Sequence, residues 1–227
     1  IPQAGLLISA YAVGVMIGAP LMTLWLARFP KKTALILLMA IFTIGNVLAT
    51  VAPDYMSLLG ARLITSLNHG AFFGLGSVVA ASVVPKDKQA SAVAMMFMGL
   101  TIANIGGVPL ATWLSQNTSW RMAFAAISIL GIMTMLALWK ALPQDHDVVK
   151  PNVAKELRVL TRAPVVLALL TTVMSAGAMF ALYTYIAPSL HVFMQASPQT
   201  ITLMLVLIGI GFSIGNHLGG KFADLSL

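Results

Sequence analysis

The amino-acid sequence predicts an all-α polytopic membrane protein. Three observations carry that prediction. Of 227 residues, 59% are hydrophobic and only 8% are charged, against roughly 25% charged in soluble domains. Seven apolar runs, at about 4–27, 33–53, 55–84, 89–115, 121–142, 164–187 and 198–223, reach the ~20 residues a helix needs to cross a bilayer. Lys and Arg sit in short clusters between those runs and form no basic stripe. The net charge of +7 therefore reads as membrane topology and excludes a nucleic-acid partner. Cysteine is absent, so there is neither a disulfide framework nor thiol chemistry.

Each run ends where the chain supplies Pro, charge or both. The breaks are Arg28-Phe29-Pro30-Lys31-Lys32, Pro53-Asp54, Pro85-Lys86-Asp87-Lys88, Ser115 to Arg121, Pro143 to Ala163, and Ala196-Ser197-Pro198. Placing the first break in the cytoplasm fixes the side of every other. Eleven of the thirteen basic residues then face the cytoplasm; Arg121 lies outside and Arg62 inside the third run. This is a strong positive-inside bias, with the chain start outside and the chain end cytoplasmic. Trp25, Trp113, Trp120 and Trp139 all fall at expected helix ends, where an aromatic belt belongs. In the long break, Val153, Leu157 and Leu160 follow helical spacing, with Lys155, Arg158 and Arg162 off their stripe. That pattern predicts a short amphipathic helix on the inner membrane surface; a partner-docking helix is the alternative. Asp145-His146-Asp147 reads as solvated loop, because nothing nearby completes a metal-ligand set.

The chain opens at Ile1 with no basic leader and stops soon after an apolar run, so both ends are expected to be cuts in a longer protein. The first and last runs echo each other. Leu6, Gly14, Ile17, Gly18 and Leu21 match Leu203, Gly211, Ile214, Gly215 and Leu218 at a constant offset of 197. Repeated halves are how many secondary transporters are built, and this offset implies roughly 400 residues in two six-helix bundles. The expected organisation is an N-terminal bundle over 1–142 lacking its first helix, a cytoplasmic inter-bundle loop over 143–163, and the first two helices of a second bundle over 164–227.

Two kinds of residue stand out for mechanism. Gly99, Ala103, Gly107 and Ala111 recur every four residues and draw one smooth stripe, beside which Pro109 removes a backbone hydrogen bond. Such a stripe serves either static packing or helix rocking. Polar groups at membrane depth are costly, and therefore point to function. Arg62 is the only charge well inside a run, with Ser66 and His69 on its face and Asn68 adjacent. That face should look into the bundle or a wet cavity, unless Arg62 snorkels to the outer surface. Asn104 lies mid-run, and Tyr183 lies late in the sixth run. The acids Asp54, Asp87, Asp145, Asp147, Glu156 and Asp224 all avoid mid-span, so His69 or an acid on another helix would carry a proton. No phosphate loop, zinc spacing or Ser/His/Asp set is present, and neither an enzyme nor a cofactor is expected. A seven-helix receptor would share the helix count and topology, but would give the repeat no role.

With these residues in view, the chain resembles the major facilitator superfamily, in its bacterial drug:proton antiporter and sugar-efflux branch. The segments SLNHGAFFGLG, MFMGLTIANIGGVP and SAYAVGVMIGAPLMTLWLAR carry the resemblance. It implies an incomplete twelve-helix fold, present here from helix two to helix eight. It also implies an inner-membrane, monomeric carrier that exchanges protons for a small molecule such as a drug or a sugar. Arg62 matches the family's helix-four Arg, associated with proton transfer. Gly99, Gly106, Gly107 and Pro109 match the helix-five antiporter motif, although Val108 stands where the family has Gly. Of the first cytoplasmic gate motif, the basic residues Arg28, Lys31 and Lys32 survive; Thr23 and Ala27 replace its Gly and Asp. The echo after helix eight keeps Gly220 and Asp224. The resemblance implies that Asp224 approaches the helix that starts near Lys88, since a helix N-terminus favours a carboxylate. A fragment without its remaining helices is expected to be transport-inactive.

Overall fold

The computed structural model describes residues 2–143, 158–159 and 161–226. The expected surface helix around Val153, Leu157 and Leu160 and the Asp145-His146-Asp147 cluster lie almost entirely outside these residues. The described chain is helical, with no strand among the described residues: α1 (Pro2–Leu26), α2 (Lys31–Val51), α3 (Tyr55–Ser82), α4 (Gln89–Ile102), α5 (Val108–Asn117), α6 (Trp120–Ala141), α7 (Ala163–Met194) and α8 (Pro198–Ser226). A π-helical turn, Ala103–Gly107, joins α4 to α5. Among the described residues, six stretches are long and apolar enough to cross a bilayer, and a shorter apolar stretch covers Ala163–Met179 of α7.

Two units are described separately. The first comprises Ile1–Pro151 and Gly219–Leu227; the second is Asn152–Leu218. In the first unit α3 packs between α1 and α2, and α2 in turn packs on α6. Leu26, Ala34, Leu38 and Ala71 form the core, with Met22, Phe29, Leu37, Phe72 and Leu75 against it. The helix contacts depend on small residues. A methyl group on Gly14 would collide with the Ser66 hydroxyl, one on Gly18 would stand 2.8 Å from Leu67 Cα, and one on Gly131 would collide with the Thr43 hydroxyl. Lipid provides no hydrophobic force between helices, so such close contact supplies the association. Large apolar side chains turn outward instead, Ile8 and Met56 among them.

Buried hydroxyls are satisfied on their own helices. Thr43 donates to Met39 O, Thr65 to Arg62 O, Ser66 to Leu63 O and Ser128 to Phe124 O, which lets polar residues sit at depth without an external partner. Asp54 caps α3: its carboxylate accepts from Ser57 N–H at 2.8 Å, and its own N–H donates to Ser57 Oγ at 3.2 Å. The hydrogen bonds from Ser57, backbone first, hold the Asp54 carboxyl below the usual carboxylate range.

The α2–α6 pair is clamped at both ends. Lys32, in the first turn of α2, donates from Nζ to Leu142 O at the C-terminus of α6, at 2.7 Å. Arg121, in the first turn of α6, donates from Nη2 to Ala52 O at the C-terminus of α2, also at 2.7 Å. The two helices are therefore antiparallel, and each lends a cation to the negative end of the other's dipole. Each cation is worth about 0.3–1 kcal/mol.

In the second unit α7 runs to Met194, seven residues beyond the expected end of its apolar run. It closes on Gln195, whose φ of 48° is left-handed, while Ala196 N–H returns to Leu190 O at 3.1 Å. Ser197 then caps α8, accepting from Thr200 N–H at 3.2 Å.

Candidate functional site

The Arg62 face is built by α1 and α3. On α3, Arg62, Ser66, His69 and Phe73 recur every three or four residues, and so share one side of the helix. Asp54 fixes the start of α3 and hence the height of Arg62. Close contact at Gly14 and Gly18 brings α1 against this side and places Tyr11 on it. The Arg62 guanidinium lies 4.3 Å from the Tyr11 ring centroid and 5.7 Å from that of Phe124 on α6. The Tyr11 hydroxyl is 3.1 Å from His69 Nδ1, with the two rings edge-to-face. His69 leans on Phe73 at 5.2 Å, and Phe73 stacks on Phe97 of α4 at 5.5 Å and 13°. A continuous line of contacts thus runs Arg62, Tyr11, His69, Phe73, Phe97.

This line joins two of the expected residues through one that the sequence reading missed. Arg62 and His69 are partly buried and turn into the bundle, and aromatic rings cover the Arg62 charge. Ser66 is enclosed in the α1–α3 contact and bonds to its own helix, so it anchors the face without lining an opening. The neighbouring Asn68 is also buried, and its Oδ1 has no hydrogen-bond partner among the described residues. Tyr11 had a signal in the sequence: it stands one turn before Gly14 on the glycine-lined side of α1. A Tyr beside a run of small residues is easily read as packing alone. The rings of Phe73, Phe97 and Phe124 gave no signal apart from their apolar spans.

The other expected residues lie apart from this line. Asn104 is exposed on the π-helical turn. A methyl group on Gly99 or Gly106 would meet nothing within 4 Å among the described residues, and one on Gly107 would meet only Ala103 of its own helix. Pro109 follows the π-helical turn directly, in the first turn of α5, where it offers no N–H to the carbonyls of that turn. Tyr183 belongs to α7, and its side chain lies outside what the structure describes.

The charged residues at one end of the first unit form two arrangements. Arg28 is exposed, donates from Nε to Trp25 O at 2.8 Å and lies 5.5 Å from the Trp25 ring centroid. Lys31 begins α2, and Lys32 reaches the end of α6. At the far end of the chain, Asp224 accepts from Ala90 N–H at 2.8 Å and from Ser91 N–H at 2.9 Å. These are two of the open amides at the start of α4, where a negative charge is favoured. Gly220, one turn earlier, is buried: a methyl group there would stand 3.2 Å from Ser91 Cα and 3.3 Å from Ala90 O.

Comparison with known proteins agrees with this architecture. The family model described as Major Facilitator Superfamily matches residues 1–226. Over 227 residues the chain is 65% identical to the inner membrane transport protein YdhP of Escherichia coli K12, covering all of this chain and 58% of that protein. It is 36% identical over 225 residues to the MFS-type transporter YtbD of Bacillus subtilis, covering 99% of this chain and 57% of the relative. It is also 29% identical over 225 residues to a chloramphenicol resistance protein of Streptomyces lividans, covering 97% and 57% respectively. The chain thus spans somewhat more than half the length of the curated relatives it matches. Its helical spans, the glycine-mediated packing of those spans and a match across nearly every residue lead to one assignment: the chain belongs to the Major Facilitator Superfamily.

Proposed function

We propose that this chain is part of a proton-coupled efflux carrier of the bacterial inner membrane, which expels small organic molecules such as drugs or sugars by alternating access. The Arg62–Tyr11–His69 face carries this reading. It sets a permanent cation and a titratable imidazole at membrane depth, turned inward and sheathed in aromatic rings, and such groups mark substrate or proton pathways. Arg62 and His69 take the coupling role, with Asn104 and Tyr183 further along the pathway. The chloramphenicol resistance relative and the inner-membrane relative support the substrate class and the location.

The gate belongs to the end that carries the basic residues, which is the cytoplasmic side in this reading; the chain start lies outside and the carrier works as a monomer. Asp224 on the α4 N-terminus, with Gly220 behind it, holds the closed state. Arg28, Lys31 and Lys32 supply the positive rim. The glycines at 99, 106 and 107, the π-helical turn and Pro109 give the fifth family helix its capacity to bend.

Reconstituting the full-length protein and imposing a pH gradient tests the reading. Gradient-dependent movement of chloramphenicol is expected, and Arg62→Ala should abolish it while the protein remains folded. Absence of gradient-dependent flux for chloramphenicol and for a panel of small sugars would sink the proposal, and full activity in Arg62→Ala would remove Arg62 from the mechanism. Residues 1–227 expressed alone are expected to transport nothing.

A further inference from the structure

From the geometry around Tyr11 we infer that this residue is the positioning residue of the Arg62–His69 face, and that it passes the protonation state of His69 to α1. The inference rests on the proposed coupling role of that face. One side chain meets both polar groups: its ring lies under the Arg62 guanidinium at 4.3 Å, and its hydroxyl lies 3.1 Å from His69 Nδ1. Arg62 and His69 stand on one helix, whereas Tyr11 stands on another. Among the described hydrogen bonds and ring contacts, Tyr11 is the one that ties both groups to α1.

The proton count follows from the hydroxyl. When His69 is neutral with its proton on Nε2, the Tyr11 O–H donates to Nδ1. When His69 is protonated, both ring nitrogens carry a proton, so Nδ1–H donates and the Tyr11 oxygen accepts. The Tyr11 proton must then rotate to a different acceptor. The bond persists while its direction reverses, and no proton is created or lost beyond the one taken up at His69. This reversal relays the charge state from α3 to α1 without moving either helix.

The surroundings leave no competitor for this role. On α1, Tyr11 is the only titratable residue; on α2, none lies between Lys32 and Val51; on α4, there is none; on α6, which meets Arg62 through Phe124, Arg121 is bonded to Ala52 O and Lys140 lies at the other end of the helix. On α3 itself Arg62 is the one charge near His69. The remaining neighbours of the His69 ring are aromatic, with Phe73 backed by Phe97.

The fit between α1 and α3 keeps the geometry fixed. Gly14 and Gly18 let α1 come down onto Ser66 and Leu67, and Gly70 accepts Ala19. Packing at three successive levels sets the height of Tyr11 relative to both Arg62 and His69. A hydroxyl so placed cannot drift from the imidazole without opening that contact.

The test uses full-length protein with ¹⁵N-labelled histidine, the His69 signal being assigned by its loss in His69→Gln. In the wild type, neutral His69 is expected to carry its proton on Nε2, with Nδ1 showing the shift of a hydrogen-bond acceptor. The opposite tautomer would overturn the inference without any variant. Tyr11→Phe keeps the ring under Arg62 and removes only the hydroxyl. It should abolish the acceptor shift at Nδ1, displace the pH profile of chloramphenicol transport and lower turnover about tenfold, the scale of one lost hydrogen bond. A moved Nδ1 signal with an unmoved pH profile would make Tyr11 merely structural and would overturn the inference. So would a wild-type Nδ1 signal in Tyr11→Phe. If the wild type moves neither chloramphenicol nor any of the small sugars, the proposed function fails, while the His69 spectrum still decides the role of Tyr11.

Discussion

The two stretches proposed as copies of one gate motif have the same spacing and opposite electrostatics. At the offset of 197, Thr23 corresponds to Gly220 and Ala27 to Asp224. In the second copy, Gly220 removes the side chain that would hold the backbones apart, and Asp224 delivers a carboxylate to two amides at the start of α4. In the first copy, Thr23 turns its hydroxyl back to Ala19 O, and no acid is available. Its basic residues address helix C-termini instead: Arg28 binds the end of its own α1 through Trp25 O, and Lys32 binds the end of α6 through Leu142 O. One copy uses a negative charge on a helix start, and the other uses positive charges on helix ends. The acidic and basic positions of the proposed motif thus serve separate partners, so one stretch can keep its cations without the carboxylate contact of the other.

The largest effect is expected from the second copy. Asp224→Ala removes both charge-assisted bonds to α4 and should lower transport by the full-length carrier about tenfold or more. Asp224→Asn keeps an acceptor oxygen and should fall between that variant and the wild type. Equal flux in all three would leave the carboxylate without a role. Breaking the α2–α6 clamp should register first as stability. Lys32→Met and Arg121→Met each remove one end of it and should cost about 0.3–1 kcal/mol, seen as an earlier thermal transition in detergent, and in Arg121→Met, which lies outside the proposed gate, the transport rate per folded molecule should be unchanged. The smallest effect is expected from Ala27→Asp, which restores the missing acid without the paired glycine. With Thr23 still in place, stability should stay within about 0.5 kcal/mol of wild type. A clear gain in stability would show that the first copy lacks only its charge.

Much of the fold was legible because membrane spans are written in length and hydropathy. The runs expected at 33–53 and 121–142 became Lys31–Val51 and Trp120–Ala141. Where the reading fell short, the membrane boundary and the helix end were different things. The sixth run was expected to stop at 187, yet α7 continues to Met194, since helical hydrogen bonding does not depend on burial in lipid. The single run expected over 89–115, with a hydrogen bond removed at Pro109, is interrupted by a π-helical turn over Ala103–Gly107, and Pro109 follows in the first turn of α5. A proline deprives the carbonyl four residues earlier of its donor, so the effect is felt upstream of the ring. At the site, Arg62 and His69 were legible because polarity at depth is conspicuous. Tyr11 was legible only as a residue on the glycine-lined side of α1, because its significance comes from which helix lies opposite, and no spacing within α1 encodes that. The binding of Lys32 to Leu142 was equally hidden, being a contact across 110 residues.

That separation bears on how the protein is assembled. Ribosomes deliver α2 long before α6, so the carbonyl end of α2 at Ala52 and the ammonium of Lys32 must wait for the segment from Arg121 to Leu142. Neither end of the clamp can form until α6 has been made and has entered the bilayer, and then both become available together. The α2–α6 pairing is thus a completion step in biogenesis. A lesion there would remove a contact between two spans while leaving the hydrogen bonds within each of them intact.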